Sequence, residues 1–314
     1  MNAKNKKKYT PHPLLWITLV FTHITTIANA APGNRSGYSI YHTLLIGLIV
    51  SVIVVTLTQG KTSRKKQVNK PLPRPPHSEI SQEQKERIIQ TTFYEIDKHL
   101  RKASVATVGG FRPPDNPCSS WFGKITMGTD DEDLPLYNGK SLLPLLQVRL
   151  DQLPYIPPIL SEIAFLTVFI DPDELPLDNA HNGQGFLVRT YESLDKLAPL
   201  ESPQLDSFIK PFPISWSLAP DEAPNWDDAW DIVNLSEFQR IEGKIDLFYK
   251  RYHNSDRTKF GGWPSLIQHE LPNIGDFVFQ IGTEEKARFS WGHSGIGYFL
   301  LDKQQNWRLT WQCY

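Results

Sequence analysis

The hydrophobic pattern of the chain changes character twice. Near the start, Lys4, Lys6, Lys7 and Lys8 precede an apolar run from Leu14 to Phe21, and Thr-rich apolar character continues to Ile27. Ala28-Asn29-Ala30 then offers a small-x-small site. Basic, apolar and cleavable is the order of a secretory signal, so residues 1–30 are expected to be signal-peptide-like or a first transmembrane segment. A stronger run follows. Residues 39–58 carry no charge, and Leu44–Leu57 is almost entirely Leu, Ile and Val. At about 1.5 Å per residue, twenty residues span the roughly 30 Å hydrocarbon core, which predicts a transmembrane helix over 39–58 in contact with membrane lipid.

Beyond it the pattern turns polar. Residues 59–78 hold Lys61, Arg64, Lys65, Lys66, Lys70 and Arg74 together with Pro71, Pro73, Pro75 and Pro76, a basic Pro-rich linker. Basic residues at a membrane end favour the cytoplasmic face. Two topologies satisfy this: a cleaved first segment with one helix, or a two-helix hairpin with both ends inside. Either places a body of residues 79–314 in the cytoplasm, at the cell membrane; a third arrangement, with the body outside, would put six positive charges on the wrong face.

The body opens with helical spacing. Ser81 and Gln84 fit a capping box, and Ile89, Phe93, Ile96 and Leu100 recur at three and four. A second helix is expected from Ser236 to Tyr252, on Phe238, Ile241, Ile245 and Phe248. Elsewhere short apolar runs between turn residues, such as Phe277–Ile281 and Gly297–Leu301, predict buried strands. The chain's 25 prolines in 314 residues are about 8% against a usual 5%, which also disfavours a helical bundle.

Two stretches of the body resemble each other. Gly109-Gly110-Phe111, Gln147-Val148 and a strand closing on Asp171 recur as Gly261-Gly262-Trp263, Gln280-Ile281 and a strand closing on Asp302. The expected fold is therefore α+β: a β-rich duplicated domain of two similar halves with a few flanking helices. The first copy holds an insertion with Asp130-Asp131-Glu132-Asp133, read as an exposed acidic loop.

Several of these marks carry a family resemblance: Gly261-Gly262-Trp263-Pro264, Phe279-Gln280-Ile281, Trp291-Gly292-His293-Ser294-Gly295, the terminal Trp311-Gln312-Cys313-Tyr314, and Gln147-Val148-Arg149-Leu150 with Leu153-Pro154. Over roughly residues 104–314 the chain resembles the DUF1963, or YwqG-like, family. That resemblance implies two similar β-rich halves facing each other and no established enzymatic activity. It also implies an immunity or binding role of the kind suggested for members met beside secreted toxins. His293 stands where the family tends to carry an acidic residue.

Charge narrows the function classes. Residues 1–78 hold eleven Lys and Arg and no Asp or Glu, so the remaining 22 basic and all 34 acidic groups lie in the body. A body with a net charge of −12 repels phosphate, and nucleic acid is excluded as a partner. Catalytic motifs are incomplete. Gly292-His293-Ser294-Gly295-Ile296 has its second glycine one place too early for a nucleophile elbow, and Gly295-x-Gly297 lacks the third glycine of a dinucleotide fingerprint. His253 and His269 are sixteen apart with no cysteine near by, and the acidic run lacks the spacing of a calcium loop. No catalytic residue, metal or cofactor is expected.

Two binding surfaces remain. Trp226 and Trp230 sit among Asp227, Asp228 and Asp231, an acidic aromatic surface suited to a basic protein such as a toxin. The alternative is a small-ligand-binding or sensing cleft between the halves, lined by Gln147, Gly261, Gly262, Trp263, Gln280, Trp291 and His293.

Overall fold

The structure, a computed structural model, describes residues 80–200 and 207–314. The expected signal, transmembrane and linker segments lie outside the described residues, among which no helix is long and apolar enough to cross a membrane. The body is β-rich, with three helices and one large, nearly closed, barrel-like sheet.

In chain order the elements are α1 (Gln82–Asp97), β1 (Arg101–Val108), β2 (Trp121–Phe122), β3 (Met127–Gly128), β4 (Leu136–Tyr137), β5 (Lys140–Ser141), β6 (Leu143–Arg149), β7 (Phe165–Ile170), β8 (Ala180–His181), β9 (Phe186–Tyr191), β10 (Ala198–Pro199) and β11 (Phe212–Glu222). Then follow α2 (Trp226–Ile232), α3 (Lys244–Arg251), β12 (Lys259–Gly261), β13 (Asp276–Gly282), β14 (Ile296–Leu301) and β15 (Trp307–Gln312). Eleven strands join in the order β8-β15-β14-β13-β12-β1-β11-β2-β6-β7-β9, and β3–β10 and β4–β5 form two small pairs.

The two ends of the large sheet, β8 and β9, are separated in sequence by residues 182–185 alone. Asn182 joins them. Its backbone N–H donates to Trp307 O at 3.1 Å on the β15 side. Its side chain donates to Val188 O at 3.0 Å and accepts from Val188 N at 2.7 Å on β9. A side-chain amide thus stands where one more strand residue would complete the ring, and sheet edges left bare cost solubility.

Each long strand puts alternate side chains inside. The interior cluster runs from Val148 and Val168 through Phe186 to Phe279 and Phe299. Phe260, Phe279 and Phe299 stack across neighbouring strands at 4.7 and 4.4 Å between ring centres, and Phe186 meets Phe299 edge-on at 5.9 Å. The core therefore belongs to both strand sets at once. A separate cluster of Ile96, Phe238, Phe248 and Tyr252 holds the helices together.

The capping box at Ser81 forms in both directions, as its residues predict. The helix expected from Ser236 to Tyr252 does not form as one piece. A short turn at Phe238–Arg240 is followed by extended Ile241 and by Gly243 at φ +71°, and α3 begins only at Lys244. Glycine is a poor helix interior residue, and at positive φ it restarts the chain in a new direction. Ile245 consequently leaves the apolar stripe and is exposed.

The register also corrects the pairing of glycines. Gln147 lies opposite Trp121 on β2, and Gln280 opposite Lys259 on β12. Gly123, which follows β2, therefore occupies the place of Gly261, rather than Gly109 or Gly110 at the end of β1. Both need their missing Cβ: φ is +70° at Gly123 and +76° at Gly261, and an added Cβ would lie 2.6 Å from Lys210 O and 2.7 Å from the Tyr155 ring. The Gly-Gly-aromatic triplets look alike only because a turn needs the same residues wherever it falls.

Candidate functional site

The acidic aromatic stretch is built around the short helix α2. Asn225 precedes α2, and Asp227 and Asp228 fall in its first turn, where the helix dipole favours negative charge. Trp226 is a wedge: its ring meets Phe248 at 5.3 Å and Phe238 at 6.0 Å, and its backbone N–H donates to the Tyr249 hydroxyl at 3.3 Å. Trp230 lies one turn on, at right angles to Trp226 with ring centres 6.2 Å apart, and is 38% exposed. On α3, Ile245 and Tyr249 are each 47% exposed and sit four residues apart, on one face of the helix. Asp227 and Asp231 are exposed beside Trp230.

Asp228 is different. It is half-buried, its Oδ2 has no hydrogen-bond partner, and its pKa is pushed up to about 6, first by burial and then by the neighbouring Asp231, Asp227 and Glu270 charges. Arg101 feels its field, and burial draws the guanidinium below its ordinary value. That guanidinium lies 3.5 Å over the Trp263 ring, a cation–π contact in a partly desolvated place. Asp228 therefore faces inward, while Asp227 and Asp231 are the carboxylates a partner could reach.

The residues of the cleft alternative are placed as follows. Gln147 and Gln280 are fully buried, and their amides are spent on backbone. Gln147 accepts from Thr126 N at 2.7 Å and donates to Pro117 O and Ser119 O. Gln280 accepts from Ser265 N at 2.9 Å and donates to Ser255 O and Arg257 O. Trp263 is buried, with Nε1 donating to His99 O at 2.8 Å. Trp291 is fully buried against Phe289 and the backbone of Gly297, where a Cβ would come within 2.4 Å of its ring. Gly261 and Gly262 hold positive φ at the end of β12. His293 is exposed in a turn with Ser294, whose φ is +51°, and its carbonyl accepts from Tyr314 N. None of these seven residues lines the clefts of about 730, 590, 410 and 330 Å³ found among the described residues.

The acidic run is only partly the exposed loop expected of it. Asp130, Asp131 and Asp133 are exposed, but Glu132 is half-buried. It accepts from Tyr191 Oη at 2.6 Å and Thr129 N at 3.1 Å, and pairs with Arg189 at 3.6 Å. No spacing rule links residues 59 apart, so this network had no sequence signal. The same is true of Lys259. It is fully buried, donates to Glu222 and to Asn254 Oδ1 at 2.5 Å, and burial draws its pKa down to about 8. The hairpin of β4 and β5 did have a signal, Asn138-Gly139 between two strand-like pairs.

The family model described as "Domain of unknown function (DUF1963)" matches residues 126–313. The match covers more than half of the chain, which belongs to that family. No curated protein matches it significantly.

Proposed function

We propose that this chain is a membrane-tethered, non-enzymatic protein-binding module whose helical face captures a basic partner protein. The tether is the apolar segment 39–58, and the body lies on the cytoplasmic side, where the basic residues that follow that segment favour it. The observation that supports the reading is that Trp230 on α2, with Asp227 and Asp231 beside it, and Tyr249 and Ile245 on α3 are all exposed, on two helices that touch through Trp226 and Tyr249. Aromatic anchors ringed by polar residues supply most of the energy of protein interfaces, and carboxylates speed the approach of a cationic partner. Occlusion of a basic toxin, an immunity role, is one form such capture would take.

The body is read as a duplicated domain. Its support is the matching backbone bonding of Gln147 and Gln280, each one residue beyond a bulge, at Pro144/Leu146 on β6 and at Phe277/Phe279 on β13. In a duplicated scaffold the repeated glutamines serve the fold, which leaves the helical segment between the halves as the part free to face a partner.

The test is a comparative capture. Full-length wild type, Trp230→Ala/Tyr249→Ala and Asp227→Lys/Asp231→Lys are each solubilised in neutral detergent and exposed to lysate of the source cell and its relatives. The reading requires one basic protein held by wild type, lost by both variants, and weakened by high salt. Retention by both variants at wild-type levels would refute it.

A further inference from the structure

A second surface lies on the opposite strand set, away from the helices. Clefts of about 730 and 590 Å³ follow one another along β7, the first over Phe169 and the second beside Asp171, two residues further on. The β4–β5 hairpin stands between them, with Leu136 lining the first and Tyr137 and Lys140 the second. Its tip, Asn138 at φ +50° and Gly139 at φ +77°, has the pair of left-handed conformations that a tight two-residue hairpin turn needs. Tyr137 packs on the cluster of Ile125, Leu142 and Phe169, so the hairpin is anchored. Leu136 points the other way and is 65% exposed, and on the rim of the second cleft Leu177 is 85% exposed.

The charges along this groove do not balance. Asp130, Glu132 and Asp133 line the first cleft and Asp171, Asp173 and Glu174 the second, against Arg189 and Lys140. Both cations are engaged, Arg189 with Glu132 and Lys140 with Asp173. Asp171 accepts from the backbone N–H groups of Asp173 and Glu174. The carboxylates of Asp130, Asp133 and Glu174 have no salt-bridge partner among the described residues. Nor do three His, Cys, Asp or Glu side chains converge there as a metal site requires. The unmet charge is strung along the groove rather than gathered at a point.

We propose that the two clefts form one docking groove for an extended, lysine- or arginine-bearing segment of a partner protein. Its cationic heads meet Asp130, Asp133 and Glu174, and its apolar side chains and methylene stems cover Leu136 and Leu177. Charge requires a cationic occupant. A second copy of this acidic body would bring carboxylate against carboxylate, which like-charge repulsion opposes. The groove shares no residue with the helical face, so either site can fail without the other.

The probe is a fluorescein-labelled acetylated nonapeptide, Lys-Leu-Lys repeated three times, titrated by anisotropy into the full-length chain in neutral detergent. Binding at about 20 mM salt should weaken at 150 mM, as screening requires. Asp130→Asn/Asp133→Asn/Glu174→Gln should raise Kd about tenfold, and Leu136→Ser about threefold, with unchanged circular dichroism. Asp227→Asn/Asp231→Asn should leave Kd within about twofold, since those groups are not in the groove. The proposal is overturned if wild type does not bind the peptide at low salt or if the groove variants bind it as wild type does. It also falls if the helical-face variant loses as much affinity as the groove variants.

Discussion

Gln147 and Gln280 make the same three hydrogen bonds from the same place on two strands that share no sequence beyond a few residues. Each accepts one backbone N–H and donates to two carbonyls that are two residues apart. Each thereby fastens the segment that crosses the outer face of its own strand set. A buried amide with all its groups satisfied is stable, but its removal strands three backbone groups at once.

Replacing either glutamine by methionine, of similar length and without polar groups, should therefore cost on the order of 2–4 kcal/mol. Urea unfolding of the full-length chain in detergent reads the loss. Equal costs at the two positions are expected from their equal bonding, and a cost below about 1 kcal/mol at either would show that its bonds are dispensable.

Asn182→Ala should open the seam without melting the core. The Val188 amide loses its acceptor, and its hydrogen exchange should accelerate by about tenfold or more, while Phe279 and Phe299 amides keep their protection. Exchange followed by mass spectrometry separates the two regions. Uniform acceleration would mean that Asn182 supports the whole sheet rather than its closure.

Asp228 makes stability depend on pH in a stated direction. Its folded pKa of about 6 lies above the ordinary 3.8, so the folded state binds more protons between those values. Stability then falls as pH rises from about 4 through 6 and stays lowered above that. Asp228→Asn removes the buried charge. The variant should gain on the order of 1–2 kcal/mol at pH 7 after allowance for screening, and nothing at pH 3.5. Thermal unfolding at the two pH values checks this, and a gain at pH 3.5 would contradict it.

Lys259 and Glu222 form a buried pair whose partners are unequal to live without each other. Lys259→Met leaves the Glu222 carboxylate buried and uncompensated, at a cost of about 3–5 kcal/mol. The double variant Lys259→Met/Glu222→Gln should recover part of that loss. A double-mutant cycle in urea would show the coupling, and strict additivity would show that the two groups act independently.

How far the sequence carried depends on the range of the interactions. Strands β13 and β14 and the capping box at Ser81 were legible because each is set by residues within one element, and the paired glutamines because each sits in a short repeated run. The break at Gly243 was visible as a glycine but was overridden by a tempting apolar spacing, and Ile245 was placed on the wrong side. The Gly109-Gly110 match failed because turn chemistry repeats wherever a chain reverses, whereas register is fixed only by the partner strand. Closure of the sheet through Asn182, the Glu132–Tyr191–Arg189 network and the Lys259–Glu222 pair join residues distant in sequence, and no local pattern announces them. At the candidate site, Trp230, Asp227 and Asp231 are neighbours in the sequence, so their grouping is legible there. Ile245 and Tyr249 could join them only once α2 and α3 were seen to touch through Trp226 and Tyr249.

The face around Trp230 is the proposed partner-binding surface. Its most direct test places a photo-cross-linking amino acid at position 230 of the full-length chain in the source cell, with position 303 on the β14–β15 turn as the control. One basic protein cross-linked from 230 and absent from 303 is the predicted result. Equal labelling from both positions, or none from 230 alone, would contradict the account.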